Sequence, residues 1–209
     1  MPQISAQDFL EFDQIREGII ILKNKALRAI LMVSSLNFAL KSEEEQEAIL
    51  YQFQNFLNSL DFSCQVLILS RRLNFVGYLD KLKEIEKNEE NELLKMQISE
   101  YGKFVKELLA GGDIMQKSFY VIVPFALSEM EGKTFQVSKK IIEMTEEKFQ
   151  RCKMQLWQRV EFVALGLRRC GLQVVPLNTS EVVELLWSFY NPKEAEKGYY
   201  PDFPSELVQ

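Results

Sequence analysis

The stretch Val33–Asn74, VSSLNFALKSEEEQEAILYQFQNFLNSLDFSCQVLILSRRLN, reads as the end of a strand, a capped amphipathic helix, a second strand and a paired-arginine exit. Ser42 offers its hydroxyl to the orphan amides of a new helix, and Glu45 stands three residues later, the spacing of a capping box. Glu43 and Glu44 add negative charge at the positive end of the helix dipole, each contributing roughly 0.5 kcal/mol. Ile49, Phe53, Phe56, Leu57 and Leu60 recur at helical spacing as one apolar stripe, and the helix is expected to end near Asp61. Gln65–Leu69 is an apolar run of strand length, followed by Ser70-Arg71-Arg72.

Upstream, the apolar runs Gly18–Lys23 and Ala26–Ser34 are separated by Asn24-Lys25, which predicts a hairpin. Downstream, Phe75–Leu109 carries a helical pattern with Leu94, Ile98, Tyr101, Val105 and Leu108 on one face. The polar segment Lys87–Glu92 either projects beyond the body or breaks this helix in two, and Gly111-Gly112 ends it. Phe119–Phe125 is the next strand and Ala126–Thr134 a loop. A long helix follows with Phe149, Cys152, Leu156, Val163, Leu167 and Cys170 on its stripe, closed by Gly171. Leu172–Val175 is a short strand ended by Pro176. Asn178, with Glu181 three residues on, caps a last helix bearing Val182, Leu185, Leu186, Phe189 and Tyr190. Asn191-Pro192 stops it, because proline disfavours helix in the residue before it. Lys193–Gln209 reads as a tail or linker after a domain spanning 1–192. The order β-β-α-β-α-β-α-β-α predicts an α+β fold, a mixed or mainly antiparallel sheet of about five strands packed with long helices on one main face.

Bulk properties narrow the function. A chain of 209 residues can bury about 70% of its unfolded surface in one domain. The net charge of -5 argues against binding nucleic acid by general phosphate neutralisation. The absence of histidine removes imidazole acid–base catalysis, Ser-His-Asp and Cys-His nucleophiles, and imidazole metal sites. Cys64, Cys152 and Cys170 are odd in number and widely spaced, which points to buried thiols in a reducing cytoplasm rather than a disulfide or metal framework. The segment MPQISAQDFLEFDQIREG has no basic region leading into an apolar run, so no signal peptide is expected. The longest apolar runs, such as Phe119–Leu127, fall short of the roughly 20 residues that span a bilayer.

Two fragments imitate a phosphate-binding loop. Gly132-Lys133-Thr134 lacks a glycine five positions earlier, where Leu127 stands, and Glu129 and Glu131 crowd the site with negative charge. Gly111 with Lys117-Ser118 has Gln116 where the second glycine belongs and leads into a strand. Such loops work by converging backbone amides, which neither fragment supplies. The carboxylate runs Glu43–Glu47 and Glu84–Glu92 match no calcium-loop spacing and read as solvated faces. No catalytic residue, cofactor or metal site is therefore expected. The candidate partner-binding residues are the arginine pairs Arg71-Arg72 and Arg168-Arg169, suited to bidentate recognition of carboxylate or phosphate, and the aromatics Trp187 and Tyr190. Pairing with the chain's own acids is the competing explanation for the arginines, and core packing for the aromatics.

Two blocks then carry a resemblance. Ser35–Ser42 (SLNFALKS) with Glu45-Gln46-Glu47, Phe53–Asp61 (FQNFLNSLD), Ser70–Asn74 (SRRLN) and Glu100-Tyr101 form the first. Gln158–Phe162 (QRVEF), Gly166–Arg169 (GLRR), Pro176–Thr179 (PLNT) and Leu185 through Tyr190-Asn191-Pro192 form the second. Together these resemble the TraC-like N-terminal domain of type IV secretion and conjugation assembly ATPases, across almost the whole chain up to Pro192 and least over 129–136. The family's P-loop motor has no counterpart here, so no catalytic residue carries over. The resemblance implies a non-catalytic module that docks a TraC-type motor to inner-membrane secretion components or helps it oligomerise, with homo-oligomers as one form. It also implies a cytoplasmic location, peripheral at the inner face of the membrane and reached only through partners. The alternatives are a degenerate nucleotide-binding enzyme using Lys133, and a general intracellular adaptor.

Overall fold

The computed structural model describes residues 10–72, 75–110, 115–126 and 145–196. They form strands β1 (Phe12–Arg16), β2 (Ile19–Leu22), β3 (Leu27–Val33), β4 (Gln65–Arg72), β5 (Met115–Phe125) and β6 (Val174–Pro176). The helices are α1 (Glu43–Ser59), α2 (Val76–Asn88), α3 (Glu92–Ala110), α4 (Glu146–Arg169), α5 (Thr179–Tyr190) and α6 (Pro192–Glu196). The chain divides into two compact units, with boundaries inside β4, β5 and α5. The first holds residues up to 68 and 118–183. The second holds 69–117 and 184–202.

The fold is α+β, as expected, with six strands ordered β1-β2-β3-β5-β4 and β6 paired to β3. β3 is the centre. One edge pairs antiparallel with β5 from Leu27↔Phe125 to Val33↔Phe119. The other edge is shared end to end: β2 takes Leu27–Ala29 and β6 takes Leu31–Val33, both antiparallel. Strand side chains alternate between faces. Leu27, Ala29, Leu31 and Val33 therefore join Ile19, Ile21, Val121, Val123 and Phe125 in one buried cluster. The long helix α4 lies on this face and completes the cluster with Phe149, Cys152, Leu156, Val160, Val163 and Leu167.

Local chemistry sets the element ends. Ser42 and Glu45 form the anticipated capping box of α1: Ser42 Oγ accepts from the Glu45 amide at 3.3 Å, and the Glu45 carboxylate accepts from the Ser42 amide at 3.2 Å. Asn178 and Glu181 repeat the exchange before α5, at 2.9 and 2.8 Å. The segment Lys87–Glu92 breaks the helical stretch, giving α2 and α3 joined through Glu89–Asn91. The hairpin expected at Asn24-Lys25 forms with a wider connection, Lys23 to Ala26, in which Lys25 takes φ 63°.

Three features differ from the sequence expectation. β1 is a strand without a sequence signal, since FDQIR does not alternate. It is held as an edge by β2 through a two-residue turn, Glu17-Gly18, in which both residues have positive φ. Pro192 does not simply end helical structure but opens the short helix α6, where its missing amide is harmless. Of the expected α1 stripe, Phe56 alone is fully buried, while Phe53 and Leu57 are exposed. The expected Gly111-Gly112 helix end, the loop through Thr134 and most of the tail lie outside the described residues.

One contact inside the core of the first unit and two ion pairs outside it help fix the place of α4. Phe56 of α1 fills a notch at Gly166 of α4, where a Cβ would stand 2.2 Å from Phe56 Cδ2. Arg16 of β1 makes a bidentate pair with Glu146 at the start of α4, at 2.7 and 3.1 Å, with its guanidinium 4.9 Å from the Phe149 ring centroid. Beside it, Lys153 pairs with Glu17 of the β1–β2 turn.

Gly166→Ala should test the notch. Helix propensity favours alanine by about 1 kcal/mol, but a clash at that distance costs roughly 1–3 kcal/mol, so net destabilisation is expected in denaturant unfolding. In a Phe56→Ala background the clash is gone, and Gly166→Ala should become stabilising. A gain in both backgrounds would contradict this packing.

The Arg16 hydrogen bond holds the Glu146 carboxyl below its ordinary value of 4.5, with Gln150 adding to the effect. A depressed carboxylate stabilises the fold fully above that value and progressively less as pH falls below it. Glu146→Gln should therefore be less stable than the parent at pH 7, with the gap closing below pH 4.5. Unfolding midpoints across that range measure it.

Candidate functional site

Position by position, the candidate arginines divide into different roles. In the second unit, Arg71 at the end of β4 donates to Ser188 Oγ on α5. Ser188 is 3% exposed and itself donates to the Leu185 carbonyl. Arg71 therefore ties β4 to the helix that carries Trp187 and Tyr190. Arg72 is the last residue of β4. Trp187 is half-buried, its carbonyl accepting from Asn191 Nδ2 at 3.2 Å, whereas Phe189 and Tyr190 are exposed. The spacing of the α5 aromatics could not separate the half-buried ring from the exposed ones, because helical period alone does not say which arc is covered.

Arg168 and Arg169 lie on the last turn of α4, in the first unit. Both residues are exposed, yet Arg168 donates to the Val174 carbonyl at 3.0 Å and so braces the junction into β6. Arg169 stands on the outer face of α4. That face carries the exposed apolar side chains Met154, Phe162 and Leu165. Alongside runs an open groove of about 610 Å³, with Lys153, Trp157, Glu161, Arg168 and Pro176 among its lining. Charges of both signs beside aromatic and aliphatic surface suit protein contact, where arginine and large apolar side chains dominate binding.

Arg159 of the first unit was not a sequence candidate. It donates to the Pro124 carbonyl at 2.9 Å and stacks over Phe62 and Phe125 at 4.6 and 4.9 Å. No spacing rule could reveal it, since Phe62, Pro124 and Phe125 come from distant parts of the chain. Its role is structural.

The three cysteines are thiols, Cys152 and Cys170 buried and Cys64 half-buried. Burial pushes all three thiols up in pKa, which lowers the thiolate fraction needed for nucleophilic work. Among the described residues no three His, Cys, Asp or Glu side chains converge as metal ligands. Lys133 of the imitation phosphate loop lies outside the described residues, whereas Lys117 and Ser118 of the second fragment lie within β5.

The chain belongs to the family described as the archaeal TraC-like domain, which it matches over residues 13–192. No curated protein and no solved structure matches it. Residues that carried the resemblance now have physical roles: Ser42 and Asn178 cap helices, Gly166 receives Phe56, and Arg71 and Arg168 brace strand ends.

Arg71→Ala is expected to destabilise by about 1.5–3 kcal/mol, by removing a partly buried hydrogen bond from a charged donor. Arg169→Lys, which keeps the positive charge at the C-terminal end of α4, should stay within about 0.5 kcal/mol, the range for exposed surface changes. Thermal unfolding of both variants checks this division between bracing and free arginines.

Proposed function

We propose that this chain is a non-catalytic interaction module of a type IV secretion or conjugation machine, which docks a TraC-type assembly ATPase at the membrane or helps it oligomerise. Membership of the TraC-like family over residues 13–192 is the observation that carries this reading. The outer face of α4 supports it, because Met154, Phe162 and Leu165 form exposed apolar surface beside Arg169, with the groove of Trp157 alongside. No helix among the described residues is long and apolar enough to cross a membrane, and in this reading membrane contact runs through partners. The reading is also consistent with the buried, high-pKa thiols and the absence of histidine, which leave little conventional catalytic equipment.

Capture of a purified TraC-type motor by the immobilised chain tests it. Saturable binding is expected, and Leu165→Asp or Arg169→Glu should weaken it by about tenfold or more if α4 is the docking face. No capture under any nucleotide condition would overturn the proposal, as would ATP turnover by the purified chain alone.

A further inference from the structure

Among the described side chains of the helical hairpin α2–α3, few apolar ones are buried. On α3 the less exposed arc carries Lys95, Ile98, Gly102 and Val105, and Val105 alone among these is buried. A second seam, Leu94, Gln97, Tyr101, Phe104 and Leu108, runs beside it at alternating spacings of three and four. That is the spacing of a coiled-coil contact. Every member is exposed, Phe104 at 58% and Leu108 at 54%, and neighbouring Leu93 reaches 75%. On α2, Tyr78 and Ile85 stand two turns apart and are also exposed. The Tyr78 and Tyr101 hydroxyls meet at 3.3 Å, which puts both helices' exposed residues on one front.

We propose that this front is a self-association surface through which two copies of the chain form a four-helix contact. Charge selects the partner and its orientation. At 100° per residue, the first charged residue beyond the apolar arc is Lys81 on the outer border of α2, and Glu100 and Glu107 on the outer border of α3. A two-fold axis parallel to the helices lays α2 of one copy on α3 of the other. It brings the Lys81 border against the Glu100 border twice, once on each side. Counted from the Tyr78–Tyr101 pair, Lys81 and Glu100 differ by about 3 Å in height, close enough for side chains to meet. A two-fold axis perpendicular to the helices would instead stack like-charged borders. The lengths of 13 and 19 residues give a footprint of about 500 Å² per copy, so a pair meets the roughly 1,000 Å² of a specific contact.

Sedimentation of the full chain over a concentration series tests this independently of motor capture, since failure to dimerise leaves the docking experiment untouched. A reversible dimer is expected. Lys81→Glu and Glu100→Lys should each raise the dimer Kd by about tenfold or more, because each places like charges in contact. The double variant Lys81→Glu with Glu100→Lys should return to within about threefold of the parent, the size of exposed ion-pair effects. Both positions are exposed, so circular dichroism should show unchanged folding. A monomer at every concentration, or a dimer indifferent to the single reversals, would overturn the proposal.

Discussion

Burial of one face of α4 on the odd-numbered side chains of β3 is the contact on which the first unit depends. The strand supplies Leu27, Ala29, Leu31 and Val33, and the helix supplies Phe149, Leu156, Val163 and Leu167, all almost completely removed from water. Each of these side chains larger than Ala29 contributes about 1.5–3 kcal/mol on burial, more than an exposed ion pair typically does. Other features are placed by that contact. Gly166 faces Phe56 because α4 has one orientation on the sheet, and Arg16 reaches Glu146 because β1 ends beside the start of α4.

The same contact leaves the opposite side of α4 to solvent, where Met154, Phe162, Leu165 and Arg169 stand. A helix apolar on more than its buried arc must either sit deep in a core or meet another surface. In the second unit the α2–α3 hairpin presents the same situation more strongly. Polar groups in both units are largely spent on bracing: Arg71 on Ser188, Arg168 on the Val174 carbonyl, Arg159 on Pro124.

Much of the architecture was legible because it rests on local chemistry. The caps at Ser42 and Asn178 and the strand at β5 follow from spacings of a few residues, whereas the polar run Lys87–Glu92 allowed either a projecting helix or the break seen between α2 and α3. β1 was not legible, since its pairing comes from β2 and from two positive-φ turn residues rather than from its own pattern. The arginine candidates were visible as pairs, but their division into bracing and outward-facing roles depended on which carbonyl or hydroxyl the fold brought near.

The amino-acid order by itself determined the α+β class, most helix boundaries and the capping motifs, because these depend on hydrophobic period, turn residues and side chains close in sequence; the family rests on the match over residues 13–192. Tertiary structure alone decided that β2 and β6 share one edge of β3, that Gly166 receives Phe56, and which apolar arcs remain uncovered. Hydrophobic period says that a stripe must be buried. Only the packing of distant segments says against what, and how much of it is left over.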